Sequence, residues 1–203
     1  MIIKVCGMRD EENIRKVEQL GVDWMGFIFY RKSLRYTGGK LAYIPEKVKR
    51  VGIFVDEDID SLLALADNNR LQILQLHGNE SPAYCNALRD KGFSVIKSFG
   101  ISIDEPFPIV LTERYEGCCD YFLFDTKSPL YGGTGRKFNR ELLLDYRGGT
   151  PFLLSGGISP EDAESVKYFS HPKYIGIDVN SRFEIAPAIK DIELIRILIE
   201  HFR

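Results

Sequence analysis

Eight short runs rich in β-branched and aromatic residues recur along this chain, each followed by a polar or helix-patterned stretch, and no other feature restricts the fold so strongly. Strand, crossover and strand again make the strands parallel and put the connecting helices over the sheet. The runs are approximately Ile2 to Cys6, Trp24 to Phe29, Val51 to Val55, Ile73 to His77, Ser94 to Ser98, Tyr121 to Asp125, Phe152 to Ser155 and Tyr174 to Val179. They could build an open doubly wound sheet or a closed barrel, and closure is favoured because it leaves no unpaired edge. The expected architecture is therefore α/β: one (β/α)8 TIM barrel over residues 1–203, near the lower end of the ~200 to 400 residue range of that fold.

The connecting segments carry start and stop signals. Asp10 precedes a stripe of Ile14, Val17 and Leu20 that Gly21 closes, and Asp58 opens another through Ile59, Leu62, Leu63 and Ala66. Ser81-Pro82 and Ser159-Pro160 each set a cap residue before a proline suited to the first helical position, while Gly92 and Gly148 read as stops. Ile192, Ile195, Ile199 and Phe202 form the apolar face of a last helix. Arg31 to Lys49 and Ile101 to Cys119 show only weak helical patterning, so the second and fifth crossovers are the least defined.

Composition narrows the function classes. With 27 basic and 29 acidic residues the net charge is -2, which lacks the positive footprint that nucleic-acid binding needs. Met1-Ile2-Ile3 runs at once into Lys4, leaving no room for the apolar centre of a signal peptide, and no run of about 18 apolar residues exists to span a membrane. Cys6, Cys85, Cys118 and Cys119 show no C-x-x-C spacing, and His77, His171 and His201 lie far apart, so neither a disulfide scaffold nor a metal site is expected. A reducing cytoplasm is the expected compartment.

A parallel barrel binds its ligand at the carboxyl ends of its strands. That filter returns Cys6, Phe29 with the following Ser33-Leu34-Arg35, Gln75 to Gly78, Asp125, Ser155-Gly156-Gly157 and Asp178-Val179-Asn180-Ser181. Gly156-Gly157 and the Asp178 to Ser181 turn follow the seventh and eighth strands, the usual phosphate seat of the architecture. Asp125 ends the apolar run Tyr121-Phe122-Leu123-Phe124, where lost hydration raises a carboxyl pKa, and the glycine-rich Gly132 to Gly135 follows. Cys6 would aim its thiol into the barrel mouth, where nearby positive charge makes a thiolate able to accept a proton from carbon. Arg35 has the fork geometry that suits a carboxylate. His77 reads as a hydrogen-bonded structural histidine. Strand alternation also sends Lys4 to the same side as Cys6, inside the barrel, which requires an inward carboxylate or a bulge.

Taken together, Lys4-Val5-Cys6-Gly7-Met8, Ser33-Leu34-Arg35-Tyr36, Gln75-Leu76-His77-Gly78-Asn79-Glu80, Phe124-Asp125, Gly132-Gly133-Thr134-Gly135, Ser155-Gly156-Gly157-Ile158 and Asp178-Val179-Asn180-Ser181 resemble, in order and spacing, the phosphoribosylanthranilate isomerase family of tryptophan biosynthesis. The resemblance implies a cofactor-free Amadori rearrangement of a phosphosugar, with Asp125 as general acid and Cys6 as general base. It further implies that Arg35 holds the anthranilate carboxylate, and that Gly156, Gly157, Asp178, Asn180 and Ser181 form the substrate's phosphate end. A monomer and a homodimer are both compatible with it. Where the family commonly has glycines, this chain has Arg182 and Ala188. Two other readings are the isomerase of histidine biosynthesis, which uses paired aspartates where this chain has Cys6, and a non-catalytic phosphate-ligand binder, which would not need Cys6 and Asp125 together.

Overall fold

The computed structural model describes residues 1–127 and 138–203. The segment Gly132 to Gly135 lies outside the described residues. Eight parallel strands close into a barrel in sequence order, each hydrogen-bonded to the next and β8 back to β1. They are β1 (Ile2–Val5), β2 (Trp24–Ile28), β3 (Lys49–Phe54), β4 (Ile73–Leu76), β5 (Ser94–Ile101), β6 (Tyr121–Thr126), β7 (Phe152–Leu154) and β8 (Tyr174–Val179).

The capping signals act as the sequence predicts. Helix α1 (Glu11–Gln19) starts where the Asp10 carboxylate accepts the Asn13 N–H, and Gly21 follows it with φ +80°. Helices α2 (Ile59–Asn68) and α3 (Pro82–Asp90) are capped in the same way by Asp58 and Ser81. Gly92, at φ +90°, turns the chain out of α3.

The weakly patterned crossovers are short or irregular, for identifiable reasons. Between β2 and β3 the chain forms no helix, because side chains from elsewhere satisfy its backbone. The Glu18 carboxylate accepts the N–H groups of Glu46 and Lys47, and Asn69 Oδ1 accepts that of Leu41. Pro106 and Pro108 delay the crossover after β5, leaving only the short helix α4 (Ile109–Glu113). The crossover after β6 ends in a 3-10 turn at Arg140–Asp145, which stops before Gly148. After β7, Ser159 and Asp162 form a capping box for a 3-10 turn at Pro160–Asp162 that runs into α5 (Ala163–Lys167). Beyond β8, a 3-10 turn at Ser181–Phe183 leads into a small antiparallel pair, β9 (Glu184–Ala186) and β10 (Ile189–Lys190), before α6 (Ile192–Phe202) closes the shell.

Two apolar layers follow from strand alternation. Trp24, Val51, Ile53, Ile73, Ile96, Leu123 and Leu153 fill the barrel with Cys6 above them, and the alternate side chains pack outward against the helices. Each such burial contributes about 1.5–3 kcal/mol relative to exposure.

Lys4 enters this interior, fully buried, and the inward carboxylate that it requires is Asp178. Its Nζ donates to Asp178 Oδ1 at 2.8 Å across the β1–β8 pairing, where the two residues are register partners. A charge so placed is tolerable only when paired, and removing either partner of a buried pair typically costs about 3–5 kcal/mol.

Candidate active site

Cys6 follows β1 directly, with its N–H bonded to the Val179 carbonyl at 2.9 Å. Space for the thiol comes from Gly26 on the neighbouring strand, where a Cβ would stand 2.9 Å from Cys6 Sγ. The residue is buried. Burial pushes its thiol above the usual range, Lys4 opposes that, the Asp178 charge adds to it, and Lys190 and Arg35 pull it down. Lys4, Lys190 and Arg35 thus favour the thiolate, burial and Asp178 disfavour it, and the balance falls on the side of the thiol.

Asp125 lies on β6, with the Thr126 N–H donating to its Oδ1 at 2.8 Å. Burial, reinforced by the Asp178 charge, raises its carboxyl to about 6, against the opposing effects of the Thr126 amide, Lys4 and Ser155. The side chain is 20% exposed and borders a cavity of about 600 Å³ that His77, Ser98, Gly100 and Thr126 also line. Lys4 and Asp178 act on both Cys6 and Asp125, so thiol and carboxyl converge on one buried ion pair from separate strands.

Gly156 and Gly157 both have positive φ, +92° and +62°, a backbone path that side chains disfavour. A Cβ at Gly156 would fall 2.4 Å from Thr126 Oγ1 and 3.3 Å from Asp125 Oδ1, so this loop lies directly against the Asp125 carboxyl.

On the Cys6 side, Arg35 is held by Glu184. Its Nε donates to Oε1 at 2.8 Å and one terminal nitrogen donates to Oε2 at 2.6 Å. Glu184 also accepts Lys190 Nζ at 2.7 Å, and the same ammonium donates to Asn180 Oδ1 at 2.8 Å. These two cations keep the Glu184 carboxyl below its usual value although burial acts the other way. Gly7, at φ +79°, makes room for the network, since a Cβ there would stand 2.6 Å from Arg35 Cδ and 2.8 Å from Asn180 Oδ1.

Of the residues singled out from sequence, Cys6, Asp125, Gly156 and Gly157 border the mouth, and Arg35 and Asn180 meet in the Glu184 network. Ser181 starts the 3-10 turn after β8. Asp178 is engaged by Lys4 and, at 3.4 Å, by the Ser155 hydroxyl, which makes it a buried counter-ion. Arg182 does not adopt positive φ, so its position needs no glycine, whereas Ala188 takes φ +68°. That conformation costs a non-glycine residue on the order of 1–2 kcal/mol, partly offset here by a fully buried methyl.

Glu184 and Lys190 were not candidates from sequence. Glu184 left a faint signal, as an acidic residue beside a loop expected to hold an anion. Lys190 left none, because its partners are set by the β9–β10 turn. Among the described residues, no group of three or more His, Cys, Asp or Glu is placed to hold a metal ion, and no helix is long and apolar enough to cross a membrane.

A carboxyl titrating at about 6, a thiol near cations and a pair of positive-φ glycines after β7 suit proton transfers on a phosphorylated substrate. The family model for N-(5'phosphoribosyl)anthranilate (PRA) isomerase matches residues 3–201. The N-(5'-phosphoribosyl)anthranilate isomerase of Parabacteroides distasonis is 48% identical over 206 residues, covering 98% of this chain and 92% of that protein. The crystal structure of phosphoribosyl anthranilate isomerase from Thermus thermophilus superposes with a TM-score of 0.83 at 30% identity, covering 99% of this chain and 98% of that one. A further phosphoribosyl anthranilate isomerase structure, in complex with reduced 1-(o-carboxyphenylamino)-1-deoxyribulose 5-phosphate, has a TM-score of 0.78 at 29% identity and covers 100% of this chain and 98% of its own. Sequence and fold together assign the chain to the N-(5'-phosphoribosyl)anthranilate isomerase family, the isomerases of tryptophan biosynthesis, and it belongs to that family along its whole length.

Proposed function

We propose that the chain converts N-(5-phosphoribosyl)anthranilate to 1-(2-carboxyphenylamino)-1-deoxyribulose 5-phosphate, with Asp125 as general acid and Cys6 as general base. The observation that carries this reading is the Asp125 carboxyl, raised to about 6 at the same buried ion pair as the Cys6 thiol. Asp125 gives its proton to the furanose ring oxygen, the C1′–O bond breaks, and the anthranilate nitrogen supplies the electron pair that forms the Schiff base. Cys6 then removes the C2′ proton, and the C–H electrons flow back to nitrogen as the enolamine. Protonation at C1′ and loss of the C2′ hydroxyl proton complete the ketone. The thiol must first release its own proton to solvent, a step that Lys4, Lys190 and Arg35 favour and that burial and the Asp178 charge oppose.

The phosphate rests on backbone amides of Gly156, Gly157, Asn180 and Ser181. Asp178 acts beneath the sugar through Lys4, while Glu184 orients Arg35 so that its remaining terminal nitrogen meets the anthranilate carboxylate. Arg35→Ala is accordingly expected to raise KM about 10-fold or more, the scale of one hydrogen bond between charged groups, with a smaller change in kcat. Steady-state kinetics check this, and unchanged KM and kcat would remove Arg35 from the site.

The activity is tested by generating phosphoribosylanthranilate in place and following the loss of its fluorescence. Loss in proportion to added protein is expected. No loss, or turnover only of the aminoaldose of histidine biosynthesis, would contradict the proposal.

A further inference from the structure

Asp125 has a neighbour that the mechanism above leaves unused. His77 follows β4, on the interior face that Ile73 and Gln75 share, and its Nε2 stands 3.9 Å from Asp125 Oδ2. On the other side of the ring, Gln75 Nε2 approaches His77 Nδ1 at 3.3 Å. With the Gln75 NH₂ directed at the ring, as here, Nδ1 is the accepting nitrogen and the ring proton sits on Nε2, facing the carboxyl. Gln75 is itself buried, so its amide meets the ring away from bulk water.

We infer that His77, its tautomer set by Gln75, is a positioning residue that offers a neutral N–H donor to the Asp125 carboxylate formed when the acid gives up its proton. The inference rests on the reading of Asp125 as the acid. At 3.9 Å the pair is longer than a hydrogen bond, as suits an uncharged carboxyl, and such contacts in empty sites commonly tighten once substrate binds and charge develops. A neutral donor suits the task better than an imidazolium, which would hold Asp125 ionised and leave it no proton to give. The surroundings keep the ring neutral: burial, Lys97 on β5 and Lys4 on β1 lower its pKa to about 4. Lys97 is itself paired with Glu80 at 3.1 Å, and the charges facing Asp125 are Asp178 from β8 and Lys4 from β1.

The test compares pH profiles of kcat/KM for the wild type, His77→Phe, His77→Gln and Asp125→Asn. In the wild type an inflection near 6 is expected, and Asp125→Asn should abolish it. His77→Phe removes the donor, which should move the inflection up by about one unit and lower kcat about tenfold with KM little changed, while His77→Gln, which can donate from the same place, should return both toward wild type. A Phe variant with wild-type kcat and inflection overturns the role of His77. Persistence of the inflection in Asp125→Asn overturns the Asp125 reading instead. Should the Phe variant not fold, nitrogen NMR of the wild-type ring decides: the Nε2–H tautomer, neutral at pH 6, is expected, and an Nδ1–H tautomer or a charged ring refutes the inference.

Discussion

Replacing Cys6 by alanine is expected to lower kcat by about 10²–10⁴-fold, the usual contribution of a positioned acid or base, while the affinity for product changes little. Two features limit the effect to chemistry. The side chain is small, and its sulfur touches the space left by Gly26, so the truncation opens only a minor void. The Cys6 N–H to Val179 bond belongs to the backbone, which alanine retains. Serine is expected to fail as well, because a hydroxyl amid the same cations remains far too weak a base to take a carbon-bound proton. Initial rates with saturating phosphoribosylanthranilate check both variants, and full turnover by Cys6→Ala would move the base elsewhere.

Asp125→Asn should lose turnover on the same 10²–10⁴ scale and, unlike most losses of function, gain stability. The sign follows from linkage. The folded carboxyl titrates at about 6, above the ordinary carboxylate value near 3.8, so the folded protein binds the extra proton between those two values. Stability contributed by the group is thus greatest below about pH 4 and declines as pH rises through 6, where burial penalises the charge. Asparagine carries no charge and can still accept the Thr126 N–H. Its advantage should be near zero at pH 4 and reach up to about 3 kcal/mol at pH 8, an increase in Tm on the order of 5–10 °C. Thermal melts of both proteins across this range measure it, and a destabilised asparagine variant at pH 8 would mean that the carboxyl is not held against its own ionisation.

The parts of the fold that rest on local chemistry were legible from sequence. Asp10, Asp58 and Ser81 cap the helices that they announce, and Tyr174 to Val179 forms a strand with those same limits. The segment after β2 was not legible, because its conformation is held by Glu18 and Asn69, residues outside it. The site divides in the same way. Barrel geometry directs attention to strand ends, which is how Cys6, Asp125 and the Gly156-Gly157 turn are found. The pairings that tune those groups join residues remote in sequence: Lys4 with Asp178, 174 positions apart, and Arg35 with Glu184, 149 apart. Alternation alone says that Lys4 needs either an inward carboxylate or a bulge. Only the closed sheet excludes the bulge and reveals an aspartate whose charge also raises the Asp125 carboxyl and the Cys6 thiol.

The proposed chemistry requires one substrate lying between the Asp125 carboxyl and the Cys6 thiol, and a crystal structure of this chain with reduced 1-(o-carboxyphenylamino)-1-deoxyribulose 5-phosphate tests this most directly. The predicted complex has the phosphate on the amides of Gly156, Gly157, Asn180 and Ser181, the ring carboxylate on Arg35, and Cys6 Sγ and the Asp125 carboxyl both within hydrogen-bonding reach of the C1′–C2′ end of the sugar. A complex with the phosphate seated elsewhere, or with either side chain directed away from that end, would contradict it.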